Sequence, residues 1–149
     1  MSFFRTMDIS ATALTAQRLR MDVISENIAN ASTTRTADGG PFRRKTVIFE
    51  EMGNSGRGSF RRRLENAINR TQSGNGVRVS NIGEDQRPGT RVFGPAHPDS
   101  DDDGYVTMPN VNVVEEMVNM ISASRSYEAN ITAIGTTRSM MSRTLEISR

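Results

Sequence analysis

The sequence predicts an α+β fold: two long terminal α-helices forming an antiparallel coiled-coil-like core, with a small β-rich insertion between them. Three observations carry this expectation. From Val113 to Leu145, alternating steps of three and four residues meet Val113, Met117, Met120, Ser124, Tyr127, Ile131, Ile134, Arg138, Met141 and Leu145, a mostly apolar seam lasting more than four heptads. Near the other end the same alternation meets Phe4, Met7, Ala11, Leu14, Arg18, Met21, Ser25 and Ile28. All five prolines, and every glycine but Gly135, lie between residues 39 and 109, so turn-forming residues are confined to the middle. The expected organisation is therefore 1–34 and 110–149 as one helical domain, with 35–109 as a β-rich middle domain containing loops and a short helix.

The first helix is expected from about Arg5 to Ala31, with Asp8 and Ser10 competing as caps. Asn30, Ser32, Thr33 and Thr34, followed by Asp38-Gly39-Gly40-Pro41, mark its end. Phe42 to Glu51 is the best strand, since Thr46-Val47-Ile48-Phe49 is β-branched and aromatic and follows a turn signal. Ser59 caps a short helix in which Phe60, Leu64, Ala67 and Ile68 share a face. Strands at Val77–Ile82, Thr90–Phe93 and Tyr105–Met108 complete a small sheet with a thin core. The last helix has no internal proline, and 33 residues from Val113 to Leu145 at 1.5 Å each make a rod of about 50 Å.

A helix of that length cannot hide within a chain of 149 residues that is 35% hydrophobic, 5% aromatic and free of tryptophan. The stripe is narrow, flanked by Asn119, Ser122, Arg125, Ser126 and Thr137, so it needs partner helices. A pair of amphipathic helices closing an ordinary small domain is the plain alternative, but the lean middle offers little to cover them. Burial of the seams between subunits is the expectation. Met7, Met21, Met117, Met120, Met140 and Met141 suit such contacts, because an unbranched thioether adapts to non-identical neighbours.

Composition excludes several classes. There is no cysteine, hence no disulfide, thiol catalysis or thiolate metal site. A formal net charge of +2, from 19 basic and 17 acidic residues, is weak support for a nucleic-acid partner. No apolar run is long enough to span a membrane, and no cleaved secretory signal is expected.

Four local features could carry chemistry. Asp99-Ser100-Asp101-Asp102-Asp103-Gly104 has the opening spacing of a calcium loop of the EF-hand kind. Its twelfth position is Asn110 where a bidentate glutamate is needed, and Pro95 and Pro98 preclude the preceding helix, so a solvated acidic turn is expected. Arg43-Arg44-Lys45 and Arg61-Arg62-Arg63 could contact phosphates, but no aromatic platform accompanies them. His97 stands between two prolines without a nucleophile to serve. Glu115 and Glu116 fall in the first turn of the last helix, where the macrodipole favours negative charge. No catalytic constellation, metal set or cofactor site emerges, so an enzyme is not expected. A nucleic-acid-binding or calcium-binding helical module remains the alternative to an assembly protein.

Two stretches carry a resemblance. Ser25-Glu26-Asn27-Ile28-Ala29-Asn30-Ala31-Ser32-Thr33 resembles the S-x-N-[IL]-A-N-x-x-T signature of bacterial flagellar rod and hook proteins. Ser124-Arg125-Ser126-Tyr127-Glu128-Ala129-Asn130 resembles that family's second signature. His97-Pro98-Asp99, Gly104-Tyr105-Val106 and Met108-Pro109-Asn110-Val111, followed by Glu116-Met117, are similar to the proximal-rod type. The resemblance spans essentially the whole chain.

It implies a structural subunit of the flagellar basal body. Such a subunit polymerises through its terminal helices into the axial drive shaft that crosses the periplasm, transmits torque from rotor to hook and surrounds the export channel. Export through the flagellar type III apparatus would dispense with a cleaved signal. The implied partners are copies of the chain, other proximal and distal rod subunits and the rod-base adaptor protein, with MS-ring and export-gate proteins as further candidates. No nucleic acid and no membrane span are implied. The expected assembly residues are Met7, Leu14, Met21, Ile28, Met117, Met120, Ile131, Ile134, Met141 and Leu145. Asn27, Asn30, Tyr127 and Asn130 join them through the signatures, as polar groups that fix register.

Overall fold

The computed structural model describes residues 3–37, 39–52 and 76–147. The expected short helix after Ser59, the Arg61–Arg63 triplet and the loop from Gly53 to Gly58 lie outside them. The described elements are α1 (Phe3–Ala29), β1 (Lys45–Glu51), β2 (Val77–Glu84), β3 (Arg91–Phe93), β4 (Tyr105–Thr107) and α2 (Val113–Ile147). The fold is α+β: a helix at each end, with small antiparallel sheets between.

Helix α1 starts ahead of both expected caps, and Ser10 is buried within it. Its end is built by its own polar side chains. The Asn30 amide donates to the Glu26 carbonyl at 3.0 Å, its Oδ1 accepts the Thr33 hydroxyl at 3.1 Å, and the Thr33 N–H bonds the Asn30 carbonyl. With the last carbonyls occupied, the helix stops at Ala29, two residues before the expected boundary. At the other long helix, Asn112 is the N-cap: its Oδ1 accepts the Val114 N–H at 3.0 Å and the Glu115 N–H at 3.4 Å.

Instead of one sheet there are two ribbons. Strands β1 and β2 pair antiparallel from Lys45↔Glu84 to Glu51↔Val77, with a register shift between Ile48 and Phe49. Strands β3 and β4 pair separately, Arg91↔Thr107 to Phe93↔Tyr105. The break has a local cause. After β2 the Arg87 N–H folds back on Asp85 Oδ1 at 3.0 Å, and Pro88, which lacks an N–H, follows at once, so the ladder cannot continue. The Tyr105 and Phe93 rings meet edge to face at 5.3 Å, and Arg91 lies over Tyr105.

Helix α1 is the central element, packed against α2, β1 and β2; among the described elements α2 packs on α1 alone. The buried apolar residues Ala16, Val23 and Ile24 of α1 and Ala123 of α2 mark that interior. Two glycines are required by close approach. Gly76, at φ 98°, immediately precedes β2, where a Cβ would lie 2.3 Å from Thr12 Oγ1, the same hydroxyl that accepts the Val77 N–H at 3.2 Å. A Cβ on Gly89 would lie 1.9 Å from the Met108 carbonyl oxygen, a backbone atom with no freedom to rotate away. Gly89→Ala is therefore expected to destabilise the chain by roughly 1–3 kcal/mol through forced backbone displacement, read as a lowered denaturant midpoint in urea unfolding.

Candidate assembly site: a buried polar junction and an open helix face

The residues that gather at one place come from three distant stretches. Glu116, in the first turn of α2, is 1% exposed. Arg44, just before β1, donates to its Oε1 from Nε at 2.9 Å and again from Nη2. Asn27, near the end of α1 and also 1% exposed, donates to Glu116 Oε2 at 2.9 Å, and the Asn119 amide reaches Oε1 at 3.4 Å. The carboxylate thus loses water but gains partners on both oxygens, as a buried charge requires.

The Asn27 amide does a second task. Its Oδ1 accepts the Lys45 N–H and its Nδ2 donates to the Lys45 carbonyl, both at 2.9 Å. A side chain thereby pairs with the outer edge of β1 as a neighbouring strand would, and satisfies groups that would otherwise be stranded under α1.

Asn110 extends the junction: its Oδ1 accepts the Arg44 N–H at 2.9 Å, and its amide donates to the Asp85 and Arg87 carbonyls at 3.3 and 3.1 Å. The twelfth position of the supposed calcium loop is thus a tie between β1 and the turn after β2. Around that turn, hydrogen bonds from the Arg87 guanidinium and N–H hold the Asp85 carboxyl below its usual 3.8, at about 2.

The features that suggested ligands are engaged elsewhere. Asp99 accepts the Thr34 hydroxyl at 2.8 Å and faces Arg35, while Asp101 pairs with Arg91 at 2.7 Å. Of the first basic triplet, Arg44 is committed to Glu116, Lys45 to Glu26 and Arg43 to Gln86, so it is not a free phosphate-binding patch. His97 Nδ1 accepts the Asp99 N–H at 3.1 Å and shapes its own loop.

The seam residues divide into two sets. On α2, Met120, Tyr127, Asn130, Ile134 and Met141 are half-buried, whereas Met117, Ile131 and Leu145 are exposed. The less exposed positions of α2 include Glu116, Met120, Ala123, Tyr127, Asn130, Ile134, Thr137 and Met141, spaced by threes and fours and offset from the expected seam. Beside them stand Val113, Val114, Met117, Val118 and Ile121, all exposed, with Val114 at 68% and Val118 at 62%. On α1, Met7, Leu14, Met21 and Ile28 are half-buried, and the deeply buried positions are the neighbouring Ser10, Ala16, Val23, Ile24 and Asn27. Small residues at 10 and 16 allow close approach, which an alternation counted from Phe4 does not detect. Asn30 closes α1 as described, and Asn130 donates to the Ser126 carbonyl of its own helix at 2.7 Å.

A buried polar tie beside an apolar helix face that no described element covers is the geometry of an architectural subunit. Residues 7–35 match the family profile described as flagella basal body rod protein, and residues 102–147 match the flagellar basal body rod FlgEFG protein C-terminal profile. The chain belongs to the flagellar basal-body rod protein family, whose members are structural subunits, and it aligns end to end with the FlgC group. It is 51% identical to the flagellar basal-body rod protein FlgC of Borreliella burgdorferi, over 99% of this chain and 98% of that one. Identity is 42% to its Bacillus subtilis counterpart, with both chains covered in full. It is 41% to that of Salmonella typhimurium, over 99% and 98%.

Two outcomes follow from the junction. Glu116→Gln removes the buried carboxylate and leaves the Arg44 guanidinium with the more exposed Glu115, at 3.2 Å, as counter-charge, and is expected to cost about 1–3 kcal/mol of unfolding free energy by chemical denaturation. Asp85 has a folded value below its unfolded one, so its contribution is complete above about pH 4 and lost as pH falls towards 2. Asp85→Asn should flatten that part of the curve of melting temperature against pH; an unchanged slope would remove Asp85 from the account.

Proposed function

We propose that the chain is a subunit of the proximal rod, polymerising through α1 and α2 into the axial shaft that carries torque from rotor to hook and surrounds the export channel. In this reading 1–34 and 110–149 form the inner, antiparallel coiled-coil domain and 35–109 the outer one. The chain passes through the flagellar type III apparatus and takes its place in the periplasm. Its neighbours are copies of itself, other rod subunits and the rod-base adaptor protein, with MS-ring and export-gate proteins at the base. The family's assignment to the basal-body rod supports the broad reading. The meeting of the end of α1 with the start of α2, at Asn27 and Glu116, supports the antiparallel pairing.

One observation carries the polymerisation reading: an apolar face along α2 that no described element covers. Val113, Val114, Met117, Val118, Ile121, Ile131, Met140 and Leu145 are each 40% exposed or more. Covering the open part of one such side chain is worth roughly 1 kcal/mol, whereas association costs about 4–15 kcal/mol in lost freedom. One neighbour covering part of this face barely offsets that cost, and several neighbours at once do. Growth at the end of a tube, where an arriving subunit meets several others together, fits that arithmetic. The proposed contacts are Met7, Leu14, Met21, Asn27, Ile28 and Asn30 of the first helix. From the second come Met117, Met120, Tyr127, Asn130, Ile131, Ile134, Met141 and Leu145.

Ile131→Asp tests the reading cleanly, because Ile131 is 48% exposed and the change should alter the subunit's own stability by less than about 1 kcal/mol. The variant chain is expected to accumulate normally while rods fail to assemble and cells fail to swim. Normal motility would remove Ile131 from the interface. Circular dichroism provides a second reading: helicity should be higher in the assembled chain than in dilute subunit, since assembly supplies further contacts that offset ordering.

A further inference from the structure

We propose that the Asn27–Arg44–Glu116 cluster is a positioning site that sets the axial register of α2 on α1 and, with it, the placement of β1 on the helix pair. A heptad stripe repeats, so sliding one helix by a heptad returns apolar residues to apolar surroundings. The stripes here discriminate poorly: the α1 side is built largely of Ser10, Ala16, Val23 and Ile24, and the α2 side carries the adaptable Met120 and Met141. Apolar packing alone leaves the register weakly determined.

The cluster removes the ambiguity. Glu116 and Asn27 are the polar residues 1% exposed where the helices meet, and two partners of the carboxylate, Asn27 and Arg44, are placed by segments outside its own helix. A slip of one turn displaces the carboxylate by about 5 Å and a heptad by about 10 Å. Either distance exceeds hydrogen-bond reach, and a charge would be left enclosed without its partner. Because Asn27 also holds both backbone groups of Lys45, the register of the helices is tied to β1. A buried ion pair adds little net stability over an apolar replacement of similar size, so its presence is better explained by uniqueness of geometry than by strength. The register stands independently of the rod reading; its consequence for the filament, one fixed angle for the middle unit on every subunit, rests on that reading.

The test uses the full chain, whose lack of cysteine permits clean labelling. Nitroxides are attached at Ser25→Cys and Ser122→Cys, both exposed sites outside the open apolar face of α2, and the labelled chain is diluted into excess unlabelled chain. Conditions are those in which circular dichroism reports both helices formed. Electron-spin distance measurements should give a single population. With Arg44→Met and Glu116→Leu together, melting at or above the unaltered temperature is expected, with a second distance population that corresponds to an axial slip of about 5 or 10 Å. One unchanged distance in that double variant overturns the proposal, and so does loss of helix, which would make the pair a requirement for folding rather than for register. Failure of the rod reading shows separately, as a chain with a single distance that does not assemble.

Discussion

Everything in this chain is arranged around one carboxylate that has lost its water. Glu116 is enclosed where α1, the approach to β1 and the start of α2 converge, and none of those segments alone could supply its hydrogen-bond partners. Removing such a group from water costs several kcal/mol, regained only when both oxygens find donors in good geometry. The rest of the junction follows from that need. Arg44 must lie across the carboxylate, so its backbone is pinned by Asn110, whose Oδ1 takes the Arg44 N–H, and by Asp85, whose N–H bonds the Arg44 carbonyl at 2.8 Å. Asn27 must face it from α1, and the same amide then fixes the first residue of β1. The loop from Asn30 to Arg43 has to return the chain from the end of α1 to that point, which explains why the helix is stopped so firmly by Asn30 and Thr33.

The second helix is divided between an inner stripe and an open face, and its polar residues suit it to further burial. Ser126, Thr132, Thr136, Thr137, Ser139 and Thr144 each donate to the carbonyl four residues earlier. Hydroxyls satisfied within their own helix can be covered by a neighbour without stranding a donor. A helix that reads as polar on most of its circumference can therefore enter a packed assembly at little polar cost. Methionines and small residues on the same helix adapt to whatever surface arrives. That combination reconciles a lean hydrophobic content with a requirement for many neighbours.

Much of the architecture was legible because it depends on local pattern. Both helices, the strand at Thr46–Phe49 and the confinement of turns to the middle all follow from periodicity and from where proline and glycine fall. What escaped depends on contacts distant in sequence. Glu116 reads as a helix-dipole residue because its neighbours along the chain are all that a sequence displays; Arg44 lies 72 residues away. The packed stripes differ from the alternation of large apolar residues because the buried positions include Ser10, Ala16 and Ala123. Two ribbons in place of one sheet trace to the Asp85–Arg87 turn and Pro88, punctuation that strand propensity does not weigh. The signature residues were recognisable long before their task was. Asn27, Asn30 and Thr33 either hold β1 and Glu116 or end α1, so the motif records the junction.

A shaft that carries torque places a particular demand on such a junction, if the chain works as proposed. Apolar contacts resist separation but not sliding, since their energy changes little as one stripe moves along another by a repeat. Directional bonds to a buried charge behave in the opposite way, adding little net stability yet losing it steeply with displacement. Pairing the two divides the load: the seams hold subunits together, and the polar junction keeps each subunit's internal geometry from slipping under shear. A tube built from identical junctions then twists by elastic strain shared among many subunits, rather than by the failure of any one helix pair. On this argument a purely apolar junction could make a stable subunit and still make a poor shaft.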